Sequence, residues 1–205
     1  MEPILVKPKI TPQEALRRAQ IERGAVPANL PENSFNLIRK YEGFKPEPYK
    51  DSGGKWTIGI GTLIGKGSDS DLKSSPYYKK IINEPTAKSL AQAKITEKIN
   101  LIKGLVGEST FNEFSPDLQA HLVSGAYRGD ITGSPKAIEF LKNKQFEQAA
   151  KEYLDNDEYR KAKAKKTGIA PRMEAAAAVI KSEKPKTFQN AVEDKFTQAF
   201  NSKWN

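Results

Sequence analysis

The sequence predicts an α+β protein in which a small β-region near the N-terminus is followed by a run of helices. One short segment, residues 56–63, alternates apolar and small or polar residues as a half-buried strand does. After residue 85, apolar residues recur instead at a spacing close to 3.6, which is typical of helices. Strands and helices do not alternate along the chain, and this excludes a fold built from repeated βαβ units.

Composition narrows the chemistry that the chain can perform. Its 205 residues suit one domain with short extensions, and 37% of them are hydrophobic. Cysteine is absent, which excludes disulfides, thiolate metal sites and a cysteine nucleophile. The single histidine, His121, excludes a multi-histidine metal site, and its spacing with Leu118 and Leu122 predicts a partly buried core side chain. We therefore expect neither a metal nor a cofactor.

The chain divides into three predicted parts. Residues 1–31 form an N-terminal extension, with a short helix opened by a capping box at 11–14 and a linker at 25–31. Residues 32–181 form the domain, and residues 182–205 form a C-terminal helical extension. A stripe of apolar side chains every four residues predicts that this last segment packs on the domain rather than binding a partner; its members are Phe188, Val192, Phe196 and Phe200.

The first elements of the domain are a helix, a turn and a strand. The helix spans residues 32–41 and ends at Glu42-Gly43, and the turn spans residues 50–54. In the strand at 56–63, three side chains alternate toward the core: Trp56, Ile58 and Ile60. The opposite face carries Thr57, Gly59 and Gly61. Two glycines on that face predict an open floor where a ligand can approach the backbone.

The remaining elements are helices. Proline and serine at their starts and glycine at their ends set most of the bounds. The predicted ranges are a short helix at 77–82, a long helix at 86–106, and further helices at 115–127, from 135, at 146–154 and at 171–180.

A helix end, a turn and a strand face can converge on one cleft, and each carries a reactive side chain. These are Glu42, Asp51 and Thr57. Glycoside hydrolysis needs one carboxyl group that donates a proton and a second that stays ionised, and a hydroxyl beside the second can hold the attacking water. The alternative is that the two carboxylates are only cap and turn residues, because Asp followed by Ser-Gly-Gly is ordinary turn chemistry.

The segment around these residues resembles the catalytic segment of phage lysozymes of the T-even type, the glycoside hydrolase family 24. The matching runs are Tyr41-Glu42-Gly43, Tyr49-Lys50-Asp51 and Trp56-Thr57-Ile58-Gly59-Ile60-Gly61. In that family the catalytic triplet is Glu, Asp and Thr, with eight residues between Glu and Asp and five residues between Asp and Thr. Weaker similarity extends over residues 32–181.

The resemblance implies a lysozyme-like fold, with a small N-terminal β-lobe and a larger helical lobe joined by the helix at 86–106. It implies inverting hydrolysis of the β-1,4 bond between N-acetylmuramic acid and N-acetylglucosamine in peptidoglycan. Separately, we expect the protein to be a monomer. Glu42 would be the acid, and Asp51 and Thr57 would position water. Arg172 would form an ion pair with Glu42. Relatives often carry His where this chain has Thr62, so any ion pair that such a His makes would be missing.

Four further residues are expected to contact substrate: Gly61, Leu63, Tyr127 and Arg128. Tyr127 could instead have a structural role. Arg128 could bind a peptide carboxylate of the wall or pair with Asp130.

The net charge of +9 favours a polyanionic partner, and residues 158–186 contribute nine Lys or Arg against three Glu. We expect this partner to be the cell wall and not nucleic acid, because no aromatic-basic motif is present. No apolar run is long enough to span a membrane, and residues 1–10 do not read as a secretory signal. The expectation is synthesis in the host cytoplasm and action on the wall in the periplasm, as an endolysin or a virion enzyme docked through residues 1–31.

Two other functions remain open from the sequence. One is a lytic transglycosylase, which uses a single acid and forms an anhydro sugar without water. The other is a non-catalytic wall-binding or virion structural module that kept the fold.

Overall fold

The computed structural model describes residues 30–51 and 53–184. Within them a small antiparallel sheet is followed by helices, which confirms the predicted α+β class. The strands are β1 (Lys45–Lys50), β2 (Trp56–Gly59) and β3 (Thr62–Gly65). The helices are α1 (Leu30–Glu42), α2 (Asp69–Ser74), α3 (Glu84–Val106), α4 (Glu108–Glu113), α5 (Pro116–Arg128), α6 (Pro135–Lys142), α7 (Phe146–Leu154), α8 (Asp157–Ala164) and α9 (Ile169–Ser182). The helix and linker predicted within residues 1–29 and the stripe at 188–200 lie outside the described residues.

The predicted single strand at 56–63 is wrong, because the chain reverses within it. Strands β2 and β3 form a hairpin joined at Ile60 and Gly61, and the sheet order is β1-β2-β3. The turn needs a positive φ, which glycine adopts without a Cβ penalty, and Gly61 has φ +72°. Thr57 pairs with Leu63 across the hairpin and with Tyr49 of β1, so it lies on the central strand.

Gly59 does not lie on an open face, contrary to the sequence prediction. It is buried, and a Cβ built on it would lie 3.0 Å from the Cβ of Ala87. The absence of a side chain at Gly59 therefore lets the hairpin pack closely on α3. Of the two glycines, only Gly61 faces the side of the hairpin where Glu42 lies.

Most helix predictions are confirmed, with bounds that differ by a few residues. The segment at 77–82 is a series of turns, and the helix nearby is α2, capped by reciprocal hydrogen bonds between Ser68 and Asp71. These bonds lower the pKa of Asp71. Helices α4 and α8 were not predicted. The long helix α3 begins after Asn83, whose side chain accepts a hydrogen bond from the Thr86 amide, and ends at Gly107.

Helix α5 occupies the centre of the helical part and packs against α1, α3 and α9. Nine of its residues are buried, from Leu118 to Tyr127. His121 is half-buried on this helix, as predicted, and its Nδ1 lies 3.0 Å from the carbonyl oxygen of Asp117. No helix of the described residues is both long and apolar enough to cross a membrane.

Candidate active site

An open cleft of about 840 Å³ lies between the β-hairpin and the helices. All of the sequence-predicted site residues line it: Glu42, Asp51, Thr57, Gly61, Leu63, Tyr127, Arg128 and Arg172. Three segments far apart in the sequence supply them, namely the end of α1 with the sheet, the end of α5 and the start of α9. The cleft is therefore assembled by tertiary packing rather than by one local motif.

Glu42 is the last residue of α1, and its position follows from the way that helix ends. Gly43, at φ +70°, donates its amide to the carbonyl of Arg39 and turns the chain toward β1. The Glu42 side chain is 25% exposed, so it reaches solvent in the cleft while its inner oxygen is held by the protein. Its Oε1 accepts a hydrogen bond of 2.6 Å from Arg172.

Asp51 follows β1 at the start of the turn, and the turn fixes its carboxylate. The Oδ1 atom accepts hydrogen bonds from the amides of Gly53 at 2.8 Å and Lys55 at 2.9 Å. Backbone donors of this kind hold the orientation of the carboxylate. The turn chemistry that the sequence offered as an alternative to catalysis is thus present, and it also presents the carboxylate to the cleft.

Thr57 projects from the middle of β2 and is only 4% exposed. Its hydroxyl has a long hydrogen bond of 3.4 Å to the carbonyl of Lys55. A bond of that length is weak, so the protein holds this hydroxyl only loosely. The strands on both sides of β2 keep the Thr57 backbone in place.

Arg172 lies in the first turn of α9 and is 6% exposed. Besides Glu42, it donates to the carbonyl and to the hydroxyl of Ser124 on α5, each at 3.0 Å. Its guanidinium carbon also lies 5.0 Å from the ring centroid of Tyr41. The ion pair between Glu42 and Arg172 that the resemblance implied is present, and it links α1, α5 and α9 at one point.

A family model for phage lysozymes matches residues 39–176, which is more than half of the chain. The chain belongs to the phage lysozyme family. A comparison with curated proteins gave no significant match. The β-lobe, the helical lobe and the connecting helix α3 are a lysozyme-like fold, and family membership makes bacterial peptidoglycan the substrate class.

The four predicted substrate contacts differ in how much of each side chain the lysozyme cleft exposes. Leu63 is 53% exposed at the rim, and Gly61 leaves the backbone open beside Glu42. Tyr127 is 6% exposed, and its hydroxyl donates to the carbonyl of Ile60 at 2.6 Å. Burial raises the pKa of Tyr127, so the phenol stays protonated as a donor. Tyr127 thus holds the lysozyme hairpin, which favours the structural alternative for this residue.

Arg128 is engaged by two carboxylates of the protein. Its Nε lies 3.0 Å from Asp130, and its Nη2 lies 2.6 Å from Glu158 of α8. The Asp130 side chain is 1% exposed, and burial raises its pKa, an effect that Arg128 partly opposes. The pairing with Asp130 that the sequence allowed is present, and a peptide carboxylate would have to compete with Glu158 for the guanidinium.

The sequence analysis of this lysozyme missed Tyr49, Lys94 and Glu158, which also line the cleft. Tyr49 lies on β1 opposite Thr57, and its pKa is raised by burial and then by the charges of Glu42 and Asp51. The Tyr49 phenol therefore stays neutral in a part of the cleft where both carboxylates act on it. Its position within the matching Tyr49-Lys50-Asp51 run was the available signal.

Proposed function

We propose that the chain is an inverting N-acetylmuramidase, which hydrolyses the β-1,4 bond between N-acetylmuramic acid and N-acetylglucosamine. The observation that carries this proposal is the arrangement of two carboxylates in one cleft, each held differently. Glu42 is anchored to a cation through one oxygen, and Asp51 is anchored to two backbone amides. This division suits one group that moves a proton and another that stays ionised.

The proposed reaction balances with water as the only co-reactant. Glu42, protonated, donates its proton to the glycosidic oxygen as the bond from that oxygen to the anomeric carbon breaks. A water molecule held by Asp51 and Thr57 attacks the anomeric carbon, and its proton passes to Asp51. Both carboxyl groups then return to their starting states by proton exchange with solvent. Attack from the face opposite the leaving group inverts the anomeric configuration.

The products of wall digestion test this proposal. Purified walls are digested, the fragments are reduced with borohydride, and mass spectrometry identifies the sugar at each new end. We expect muramitol ends, because hydrolysis on the proposed side leaves a free reducing N-acetylmuramic acid. Anhydro ends would indicate a lytic transglycosylase, and glucosaminitol ends would indicate cleavage of the other glycosidic bond. Intact walls that still bind the protein would favour a non-catalytic wall-binding or virion structural module.

We further propose that long-range attraction to the anionic wall contributes to the rate of lysis. Exposed lysines lie on α8 and on the residues that follow it toward the cleft, and they include Lys161, Lys165 and Lys166. Attraction between surface charges is screened beyond a Debye length of about 10 Å at 0.1 M salt. The lysis rate should therefore fall at least about threefold between 50 and 300 mM NaCl.

The matched variant for this prediction replaces those three lysines by glutamine, and its lysis should depend less on salt than that of the wild type. A short soluble wall glycan, which carries few charges and is cleaved by both proteins, serves as the control for direct effects of salt on the cleft. Equal salt slopes for the variant and the wild type on walls would remove the electrostatic contribution of this segment.

A further inference from the structure

Lys94 is a cation of the cleft to which nothing above assigns a role. It lies on α3 between the buried residues Ala91 and Ile95, and its own side chain is half-buried. Its Nζ donates to the carbonyl of Gly61 at 3.3 Å and lies 3.9 Å from the ring centroid of Tyr127. A lysine on the connecting helix thus contacts the hairpin of one lobe and an aromatic ring of the other.

The hairpin turn is held at two successive carbonyl groups. Tyr127 of α5 donates to Ile60, and Lys94 of α3 donates to Gly61. The strand hydrogen bonds lie outside a two-residue loop. Burial of the Ile60 side chain restrains the first turn residue, whereas Gly61 has no side chain to pack. Tyr127 and Lys94 therefore add to the packing of Ile60 in fixing where the turn lies relative to the helical lobe.

The position of this turn matters for Glu42. The Cβ position built on Gly61 is 3.5 Å from Glu42 Oε2, the carboxylate oxygen that does not accept the short hydrogen bond from Arg172. A shift of the turn would change the space beside Oε2 that is open to a bound sugar. The carbonyl that Lys94 binds belongs to Gly61, the same residue whose Cβ position faces that oxygen.

Lys94 also contributes charge to this region. Burial lowers the pKa of its ammonium group, Lys98 lowers it further, and the carboxylates of Glu42 and Glu97 oppose these effects. The charged or titratable groups that act on Glu42 come from four elements: Arg172 on α9, Lys94 on α3, Tyr127 on α5 and Tyr49 on β1. Lys94 is the one besides Arg172 that can carry a positive charge.

We propose that Lys94 is a positioning residue, which pins the turn between β2 and β3 to the helical lobe and places a second positive charge beside Glu42. The proposal rests on the proposed role of Glu42 as the proton donor. Lys94 itself acts through Gly61, Tyr127 and Glu42 and takes no part in proton transfer to the sugar.

The test compares Lys94→Met with Lys98→Met, because Lys98 lies one helical turn further along α3 and pairs with Glu97 outside the cleft. For Lys94→Met we expect kcat to fall about tenfold at the pH optimum with KM changed less than about twofold. Lys98→Met should stay within about twofold of wild type, and Lys94→Arg should recover most of kcat.

A measurement without substrate separates this proposal from the proposed function. Hydrogen exchange at the amides of Gly61 and Thr62 should be about tenfold faster in Lys94→Met than in wild type or Lys98→Met. Unchanged exchange or unchanged kcat would each overturn the role of Lys94. Failure of the proposed function would instead appear as an active Glu42→Gln variant or as products other than muramitol ends.

Discussion

Glu42→Gln is expected to lose at least about 10³-fold in turnover on purified walls while it keeps its fold and its binding to the wall. The amide cannot transfer a proton to the glycosidic oxygen, and general acid catalysis contributes roughly 10²–10⁴-fold in rate. The amide oxygen can still accept the hydrogen bond from Arg172, and the side chain remains 25% exposed to solvent. Folding should therefore change little. Release of soluble muropeptides gives the rate, and co-sedimentation with walls gives the binding.

Glu84→Gln is the matched control, because Glu84 also forms an ion pair with an arginine but lies outside the cleft. Its Oε1 accepts a hydrogen bond of 2.9 Å from Arg39, and its side chain is 56% exposed. This variant should retain the wild-type rate. If Glu42→Gln kept more than about a tenth of the wild-type rate, another group would be the proton donor.

The helices of the larger lobe could be predicted because their signals are local. Proline after serine begins α5 and α6, Gly107 ends α3, and apolar residues repeat through each helix. The capping pair Ser68 and Asp71 is an equally local signal for α2, although the helix was predicted at 77–82 instead. A single capping pair of this kind sets where a short helix begins. When the pair is not recognised, the whole helix is predicted in the wrong place or not at all.

The hairpin could not be placed by the same means. Alternation of Trp56, Ile58 and Ile60 continues across the point where the chain turns, and Ile60 is fully buried like the residues of a strand. Glycine at positions 59 and 61 is compatible with an open strand face or with a turn. Packing against Ala87 decides between these for Gly59, and that contact is made by a helix that begins 25 residues later.

The residues of the candidate site also differ in whether the local sequence could predict them. Glu42, Asp51 and Thr57 fall within one short segment with a specific spacing, so the sequence could group them. Arg172 lies 130 residues from Glu42 and was found only through the family resemblance. Lys94 lies 33 residues from Gly61 and, read on α3 alone, is a lysine at the edge of the apolar face. Its contacts with Gly61 and Tyr127 form only when the two lobes pack together, so α3 alone could not predict them.

Arg172→Met is expected to give the largest loss of stability among these variants, a fall of about 3 kcal/mol in the free energy of unfolding. The substitution keeps the apolar volume and removes the donors to Glu42 and to both oxygens of Ser124. Ser124 is 3% exposed, so water cannot replace the donors there, whereas partial exposure of Glu42 limits the penalty for its unpaired charge. For a chain of this size the midpoint of thermal unfolding should fall by about 10 °C.

Arg160→Met separates this effect from the general loss of a surface arginine. Arg160 pairs with Asp155 at 2.6 Å and Asp157 at 2.7 Å, and these ion pairs are as short as the one of Arg172, but its side chain is 57% exposed. Ion pairs in solvent contribute little to stability, and this variant should unfold close to the wild-type midpoint. Equal midpoints for the two variants would mean that burial of the Arg172 network does not hold α1, α5 and α9 together. A lower midpoint for Arg172→Met alone would show that the residue anchoring the proposed acid also stabilises the packing of the helical lobe.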